Sequence, residues 1–226
     1  AAPQPLPFAG TTAGQDIDPS GQAEAWAAQL GSQHPAAVFR ALRALADTDH
    51  HGPVLEVLQD GERHFLIRAE AAQTLGKQRR IAELRAFSAD KHDEVRRSVV
   101  RALGQGLNAT DLPLLERRLR SDANADVRIA ALQAINQLSK KRGVQMARRS
   151  LGHRDGTMVA TAAGILGGHG ELEDVGRLIS FEVRKRARNA GFRAAARIIQ
   201  RADEGASQDA AMARMTTVLI GLLDDL

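Results

Sequence analysis

Hydrophobic positions recur with helical spacing in one stretch of the chain after another. In the stretch from Asp93 to Gly106, four apolar residues stand at i, i+4, i+7 and i+8, which is one face of an α-helix: Val95, Val99, Ala102 and Leu103. Similar stretches begin at six anchors that follow one another by 25–32 residues: Val38, Ile67, Val95, Val127, Met158 and Val183. This spacing predicts a repeat protein.

The ends of these predicted helices carry their own signals. Acidic side chains stand just before the anchors, where they suit a helix N-terminus: Asp93, Glu94, Asp126, Asp155 and Glu182. Nine residues past the anchors stand types that accept the left-handed conformation: Gly76, Gly104, Asn136 and Gly167. We therefore expect each glycine to close its helix, whereas the pattern runs on past Asn136 and predicts a longer helix there.

Shorter amphipathic segments lie between the anchors, at 79–90, 110–122, 143–152 and 171–180. A helix pair with one apolar side cannot bury that side alone, but stacked pairs can. The sequence thus predicts an all-α fold, a right-handed α–α superhelix of about five to six helical pairs over residues 21–206.

The two ends of the chain do not follow the repeat. Residues 1–20 are rich in Pro, Gly and Thr without periodicity, which predicts an extended or mobile arm. Residues 207–226 carry one apolar stripe, which predicts a helix that caps the solenoid: Ala211, Met215, Val218, Leu219, Leu222 and Leu226. Ala1 in place of Met indicates a chain that was processed or cut from a longer one.

Composition narrows the kind of core and the chemistry. Hydrophobic residues make up 43% and aromatic residues 3%, so the core must be built from Ala, Leu, Val and Ile, which suits closely stacked helices. The absence of cysteine excludes disulfides and thiolate metal sites and fits a cytoplasmic location. Since no apolar run reaches the length of a membrane span, we expect no contact with a membrane.

The repeat unit resembles a known family. An acidic residue, a Val-Arg pair, small residues, Ala-Leu-Gly and then a second helix containing Leu are similar to the HEAT repeat, in its short phycobiliprotein-lyase-type form. The resemblance covers residues 35–200 and implies an armadillo-type α-solenoid.

In that family the arginine of the Val-Arg pair bonds along the stack to acidic groups of a neighbouring repeat. Carried over, the resemblance implies a structural role for four residues, which we name the arginine ladder: Arg68, Arg96, Arg128 and Arg184. Met158 and Val159 depart from the Val-Arg pattern, so we expect the ladder to be interrupted there.

The sequence contains no motif of a catalytic, metal or cofactor site. HExxH, GxSxG, GxxxxGK[ST] and GxGxxG are all absent, and the seven histidines are scattered. The pair His50–His51 and the segment Lys91–Glu94 lack the ligand spacing of a zinc site. We therefore expect no cofactor and no catalytic residue.

One arginine stands two residues before the last apolar residue of each second helix: Arg85, Arg117, Arg149 and Arg177. In HEAT-like solenoids the second helices line the concave face, so the resemblance implies a row of arginines there, to which Arg118, Arg120 and Arg148 add. Such a groove suits an acidic protein segment or a phosphate backbone. The alternative is that these arginines pair with local carboxylates such as Glu116.

These observations predict a non-enzymatic scaffold that binds a protein partner through its concave face. A polyanion or nucleic acid is a less favoured partner, because no aromatic residues alternate with the basic residues to stack on bases. As an alternative, residues 23–47 and 62–77 resemble the C-terminal HEAT-like region of bacterial gluzincin zinc aminopeptidases. That resemblance implies a larger parent protein whose catalytic domain precedes this chain.

Overall fold

The computed structural model describes residues 19–203 and the single helical positions Ala213 and Thr216. Within this part of the chain every regular element is a helix, so the predicted all-α solenoid is confirmed. Of the predicted arm at 1–20, residues 1–18 lie outside the described residues, and Pro19 begins the first helix. The predicted cap at 207–226 also lies outside them, apart from Ala213 and Thr216.

The helices follow one another through short connections. Their bounds are α1 (Pro19–Gln29), α2 (Pro35–Ala44), α3 (His51–Gln59), α4 (Phe65–Lys77), α5 (Ile81–Leu84), α6 (Asp93–Gln105), α7 (Leu112–Ser121), α8 (Ala125–Leu138), α9 (Lys140–Ser150), α10 (Gly156–His169), α11 (Glu173–Ile179) and α12 (Phe181–Asp203). Short 3₁₀ turns at Leu45–Asp47 and Arg85–Ala89 extend α2 and α5, and a third at Ala109–Asp111 precedes α7.

The helices form two layers. The first helices of the pairs, α2, α4, α6, α8, α10 and α12, pack on one another in sequence order. The second helices, α3, α5, α7, α9 and α11, lie beside this row and pack against it. The stack places residues about one repeat apart in the sequence side by side, which is the arrangement that the recurrent pattern predicts.

The predicted apolar stripes form the core between the layers. Val95, Val99 and Leu103 are fully buried in α6, as are Ile135 in α8 and Leu166 in α10. They belong to one continuous cluster that runs from α1 to α12. Full burial of a Val, Leu or Ile side chain contributes about 1.5–3 kcal/mol, so the stacking of these stripes is the main source of stability.

The glycines at the repeat ends do not close their helices, which corrects that expectation. α4, α6 and α10 continue past Gly76, Gly104 and Gly167, and none of the three has a left-handed backbone. Instead, a Cβ atom on Gly104 would lie 2.7 Å from Cα of Ala134 in the next first helix. The missing side chain therefore lets successive first helices approach closely.

The last described helix is bent and is tied to its neighbour. At Ala187 the backbone leaves the helical region, with φ −148° and ψ 44°, so α12 has two segments. In the second segment Arg201 donates to the carbonyl oxygens of Gly167 and Gly170, at 3.0 and 2.5 Å. These bonds satisfy carbonyl groups at the C-terminal end of α10 that would otherwise lack partners.

Candidate functional site

The arginine ladder is most complete at Arg96. Its Nε and Nη2 atoms donate to the two carboxylate oxygens of Asp122, at 2.9 and 2.8 Å. Its Nη1 atom donates to the carbonyl oxygens of Asp90 and Lys91, in the loop just before α6. The carboxylate of Asp122, at the end of α7, is only 1% exposed, so this bidentate pair joins two repeats in a buried place.

Arg68 makes the corresponding contacts one repeat earlier. Its guanidinium donates to both carboxylate oxygens of Asp90. The shorter of the two bonds joins Nη2 to Oδ2 at 2.6 Å. Its Nε atom donates to the carbonyl oxygen of Leu58 in α3. Arg68 therefore links α4 to α3, the second helix before it, and to the loop that precedes α6.

The ladder changes at Arg128, one repeat after Arg96. Nη1 of Arg128 donates to the carbonyl oxygens of Asp122 and Ala123, as Arg96 does with its own loop, but no ion pair of Arg128 is found in the described residues. Val159 occupies the arginine position in α10 and is buried. Arg184 lies half-buried in α12. The sequence predicts an interruption of the ladder at Val159, but among the described residues the carboxylate partner is already missing one repeat earlier, at Arg128.

A second set of ion pairs, which the sequence analysis missed, joins successive second helices. Arg85 donates to Asp111 at 2.6 Å, Arg142 to Glu116 at 2.5 Å and Arg148 to Asp174 at 2.7 Å, and the two members of each pair are 26 residues apart. We name these the second-helix pairs. Opposite charges at a constant separation of about one repeat are the signal that could have revealed them.

The predicted row of arginines on the second helices is divided by these contacts. Arg85 is bonded to Asp111, and Arg118 lies 3.5 Å from a carboxylate oxygen of Asp122, so both of their charges have partners in the chain. Arg117, Arg149 and Arg177 are exposed, and the described residues include no ion pair of theirs. Arg85 bonds to Asp111 as Arg148 bonds to Asp174, so Arg85 is equivalent to Arg148. The sequence alignment, which matches Arg85 with Arg149, is therefore wrong by one residue.

The arginine partners keep the buried carboxylates ionised. Burial by itself raises the pKa of Asp90, Asp122 and Asp174, but hydrogen bonds from their arginine partners and from backbone N–H groups hold each pKa below its usual range. For Glu116 the hydrogen bond from Arg142 is the largest cause and lowers its pKa despite burial. These carboxylates therefore carry their charge at neutral pH.

We expect the free energy of unfolding to fall as the pH is lowered below about 4. A carboxylate whose pKa is lowered by folding stabilises the fold fully above its unfolded pKa, about 3.9 for Asp and 4.3 for Glu. That contribution is lost as the pH falls through the folded pKa, because the unfolded chain then binds more protons. Urea unfolding between about pH 6 and pH 3 measures the effect, and a constant midpoint would contradict it.

Other kinds of site find little support in the described residues. Residues 19–203 contain no group of three or more His, Asp or Glu side chains that could hold a metal ion. His92, in the segment considered for a metal, stacks on the ring of Phe65 instead. None of the described helices is both long and apolar enough to cross a membrane.

A cleft of about 640 Å³ opens beside the incomplete part of the ladder. It lies between the C-terminal ends of α7 and α9 and the loop that leads into α10. We name it the Arg128 cleft, after one of the residues that line it. Its lining combines cationic, apolar and polar side chains, among them Arg120, Arg128, Arg149, Met146, Met158 and His153.

Comparison with known proteins agrees with the repeat architecture. Residues 53–136 match the family model described as HEAT repeats. Among solved structures, the chain is similar to the complex of CpcE and CpcF of phycocyanin lyase from Nostoc sp. PCC7120, at 15% identity and a TM-score of 0.43, over 99% of this chain and 100% of that chain. No curated protein matches the chain. None of these findings supports the resemblance to zinc aminopeptidases.

Proposed function

We propose that this chain, which contains HEAT repeats at residues 53–136, is a non-enzymatic scaffold that binds an acidic segment of a protein partner along its second helices. The observation that carries the proposal is that three successive second helices each carry an exposed arginine, a set that we name the arginine row. Arg117 lies on α7, Arg149 on α9 and Arg177 on α11.

The charges around this row support an external anionic partner. The carboxylates of Asp111, Glu116 and Asp174, on the same second helices, are already bonded to other arginines in the second-helix pairs. Arg149 and Arg177 therefore act on Glu116 and Asp174 only at longer range, and the described residues include no ion pair between the arginine row and these three acids. Exposed guanidinium groups bind carboxylates through paired hydrogen bonds, and charges at adjacent repeats act together on an extended ligand.

The state of the buried acids favours a binding role over acid–base catalysis. A general acid at neutral pH needs a raised pKa, whereas arginine partners lower the pKa of Asp90, Glu116, Asp122 and Asp174. In these positions the carboxylates hold neighbouring repeats together, which is a structural use of charge.

Reversing the charge of Arg117 and Arg177 together should weaken binding of a fluorescent polyglutamate peptide by at least about tenfold, or about 1.4 kcal/mol. Both side chains are exposed, so the double variant Arg117→Glu, Arg177→Glu should still fold. The matched control is Arg40→Glu with Arg101→Glu, which makes the same charge change at exposed positions of the first helices. Fluorescence anisotropy at low and high salt measures the affinity.

The same experiment separates this proposal from its alternatives. Equal weakening by both double variants would show a response to net charge and would contradict a dedicated surface. Tighter binding of single-stranded DNA than of polyglutamate, lost in the same double variant, would instead favour a nucleic-acid partner. No salt-dependent binding of polyglutamate to the unchanged protein would refute the acidic segment.

A further inference from the structure

One position of the arginine ladder has a guanidinium group without its carboxylate. In Arg96, Nη1 bonds to the preceding loop, while Nε and Nη2 hold Asp122. In Arg128, Nη1 makes the same two bonds to its own preceding loop, but its buried Nε atom has no hydrogen-bond partner in the part of the chain that the structure describes. The Nε atom of the guanidinium edge that holds a carboxylate in one repeat is therefore buried and unpaired in the next.

The missing partner can be traced to one residue. His92 directly precedes α6, and Asn124 directly precedes α8. Two residues before them stand Asp90 and Asp122, whose carboxylates accept the backbone N–H groups of His92 and Asn124 at 2.9 and 3.1 Å. At the corresponding place before α10 stands His153. Its Nδ1 atom accepts the N–H of Asp155 at 3.0 Å. His153 thus replaces the aspartate in the loop bond but supplies no carboxylate to Arg128.

The cleft beside this unpaired Nε atom is suited to an anion. Arg120, Arg128 and Arg149 line the Arg128 cleft, and an adjoining cavity that shares Arg128 and His153 is lined by one further cation, Arg154, and one carboxylate, Asp155. The one carboxylate of the cleft, Asp122, is held by Arg96, with Arg118 nearby. Arg120 lies 3.6 Å from Glu116, so its charge is partly balanced. Even with that pair, the cleft has an excess of positive charge.

We propose that the Arg128 cleft binds the side-chain carboxylate of an aspartate or glutamate from the protein partner, with Nε and Nη2 of Arg128 as the principal donors. This inference rests on the proposed function and identifies one contact point within it. The incoming carboxylate takes the role of the aspartate that stands at the position of His153 in the two preceding repeats. Arg149 contributes a second positive charge. The apolar parts of Leu119, Met146 and Met158 provide a surface for the stem of the bound side chain.

The neighbouring repeat is the reason to prefer a carboxylate over a phosphate. The same guanidinium edge, fixed by the same loop bonds, holds a carboxylate with two hydrogen bonds at Arg96. A planar carboxylate matches the two parallel N–H bonds of this edge, and its single charge is balanced by one arginine. Inorganic phosphate therefore serves as the competing probe.

The decisive variant is His153→Asp, which restores the aspartate of the other repeats. The new carboxylate should bond to Arg128, raise Tm by about 2–4 °C and remove binding at this cleft. The matched control is His153→Asn, whose side-chain oxygen can accept the Asp155 N–H but brings no charge. We expect His153→Asn to leave Tm within about 1 °C and to keep the binding.

Binding is measured on the full chain with N-acetyl-aspartate amide, by the NMR shift of the Arg128 Nε–H signal, which Arg128→Lys identifies by its loss. We expect saturable binding that is at least tenfold weaker in His153→Asp and unchanged in Arg177→Ala. Equal affinity in His153→Asp and His153→Asn, or tighter binding of inorganic phosphate, would overturn the inference. If polyglutamate still binds in that case, the proposed function stands without this contact. Binding of the single aspartate without any binding of polyglutamate would refute the proposed function instead.

Discussion

Replacing Arg96 by alanine is expected to lower the free energy of unfolding by about 3 kcal/mol, because it leaves the carboxylate of Asp122 buried without its main partner. In the variant Asp122 keeps only the backbone N–H of Asn124 at 3.1 Å and the more distant Arg118 at 3.5 Å. Urea unfolding of Arg96→Ala, compared with the unchanged protein at neutral pH, measures the loss as a lower midpoint.

Two further arginines provide the scale for that result. Arg117→Ala removes an exposed side chain and should change the free energy of unfolding by less than about 0.5 kcal/mol. Arg128→Ala removes two hydrogen bonds to loop carbonyls but strands no carboxylate, so we expect an intermediate loss of about 1 kcal/mol. If Arg96→Ala and Arg117→Ala unfold at the same urea concentration, the ladder has no structural role.

Exchange of Gly104 for alanine is expected to destabilise the fold by about 1–3 kcal/mol, although alanine is the better helix former. The new Cβ would lie 2.7 Å from Cα of Ala134, so α6 and α8 must move apart along their contact. Alanine in a helix interior gains about 1 kcal/mol over glycine, which offsets part of this cost. The shift of Tm in calorimetry measures the net effect.

The control is the same exchange at Gly164, in the interior of α10. Among the described residues, no atom other than the neighbouring backbone of α10 itself lies within 4 Å of a Cβ placed there, so only the helix preference remains. Gly164→Ala should therefore stabilise the protein by up to about 1 kcal/mol, opposite in sign to Gly104→Ala. Stabilisation by both exchanges would show that the first helices do not need the close approach at Gly104.

The repeat architecture was predictable because it rests on local patterns. The stripe of Val95, Val99 and Leu103 recurs in other first helices, and burial of such stripes requires stacking whatever the details of the loops. The resemblance to HEAT repeats also led to Arg68 and Arg96, whose partners lie one step along the stack. These features depend on residue types at fixed offsets within a unit, which a single sequence displays.

The contacts between second helices were not predictable in the same way. Their alignment depends on how each short helix begins, and a 3₁₀ turn at Arg85–Ala89 replaces the end of α5. Alignment on the last apolar residue was therefore displaced by one residue, which matched Arg85 with Arg149 and concealed the pairing of Arg148 with Asp174. The residues with a left-handed backbone after α4 and α6 are Arg79 and Leu107. Because arginine and leucine rarely adopt this conformation, the residue types did not indicate it.

The Arg128 cleft was only partly predictable from the sequence. The residues that define it, Arg128 and His153, belong to a pattern that can be seen in the sequence once the role of Asp122 is known. The role of Asp122 depends on a loop bond and on the packing of α6 against α8, and both need coordinates. Comparison of repeats within one structure was therefore necessary to recognise that a carboxylate is missing.

The second-helix pairs also favour the native order of the repeats over orders in which one second helix is skipped. The sign of the charge reverses along the stack: Arg85 faces Asp111, Glu116 faces Arg142, and Arg148 faces Asp174. A misfolded chain that skipped α7 would place Arg85 against Arg142, and one that skipped α9 would place Glu116 against Asp174. Like charges at a repeat interface oppose each of these errors, so the alternation protects a chain of similar units from stacking in the wrong register.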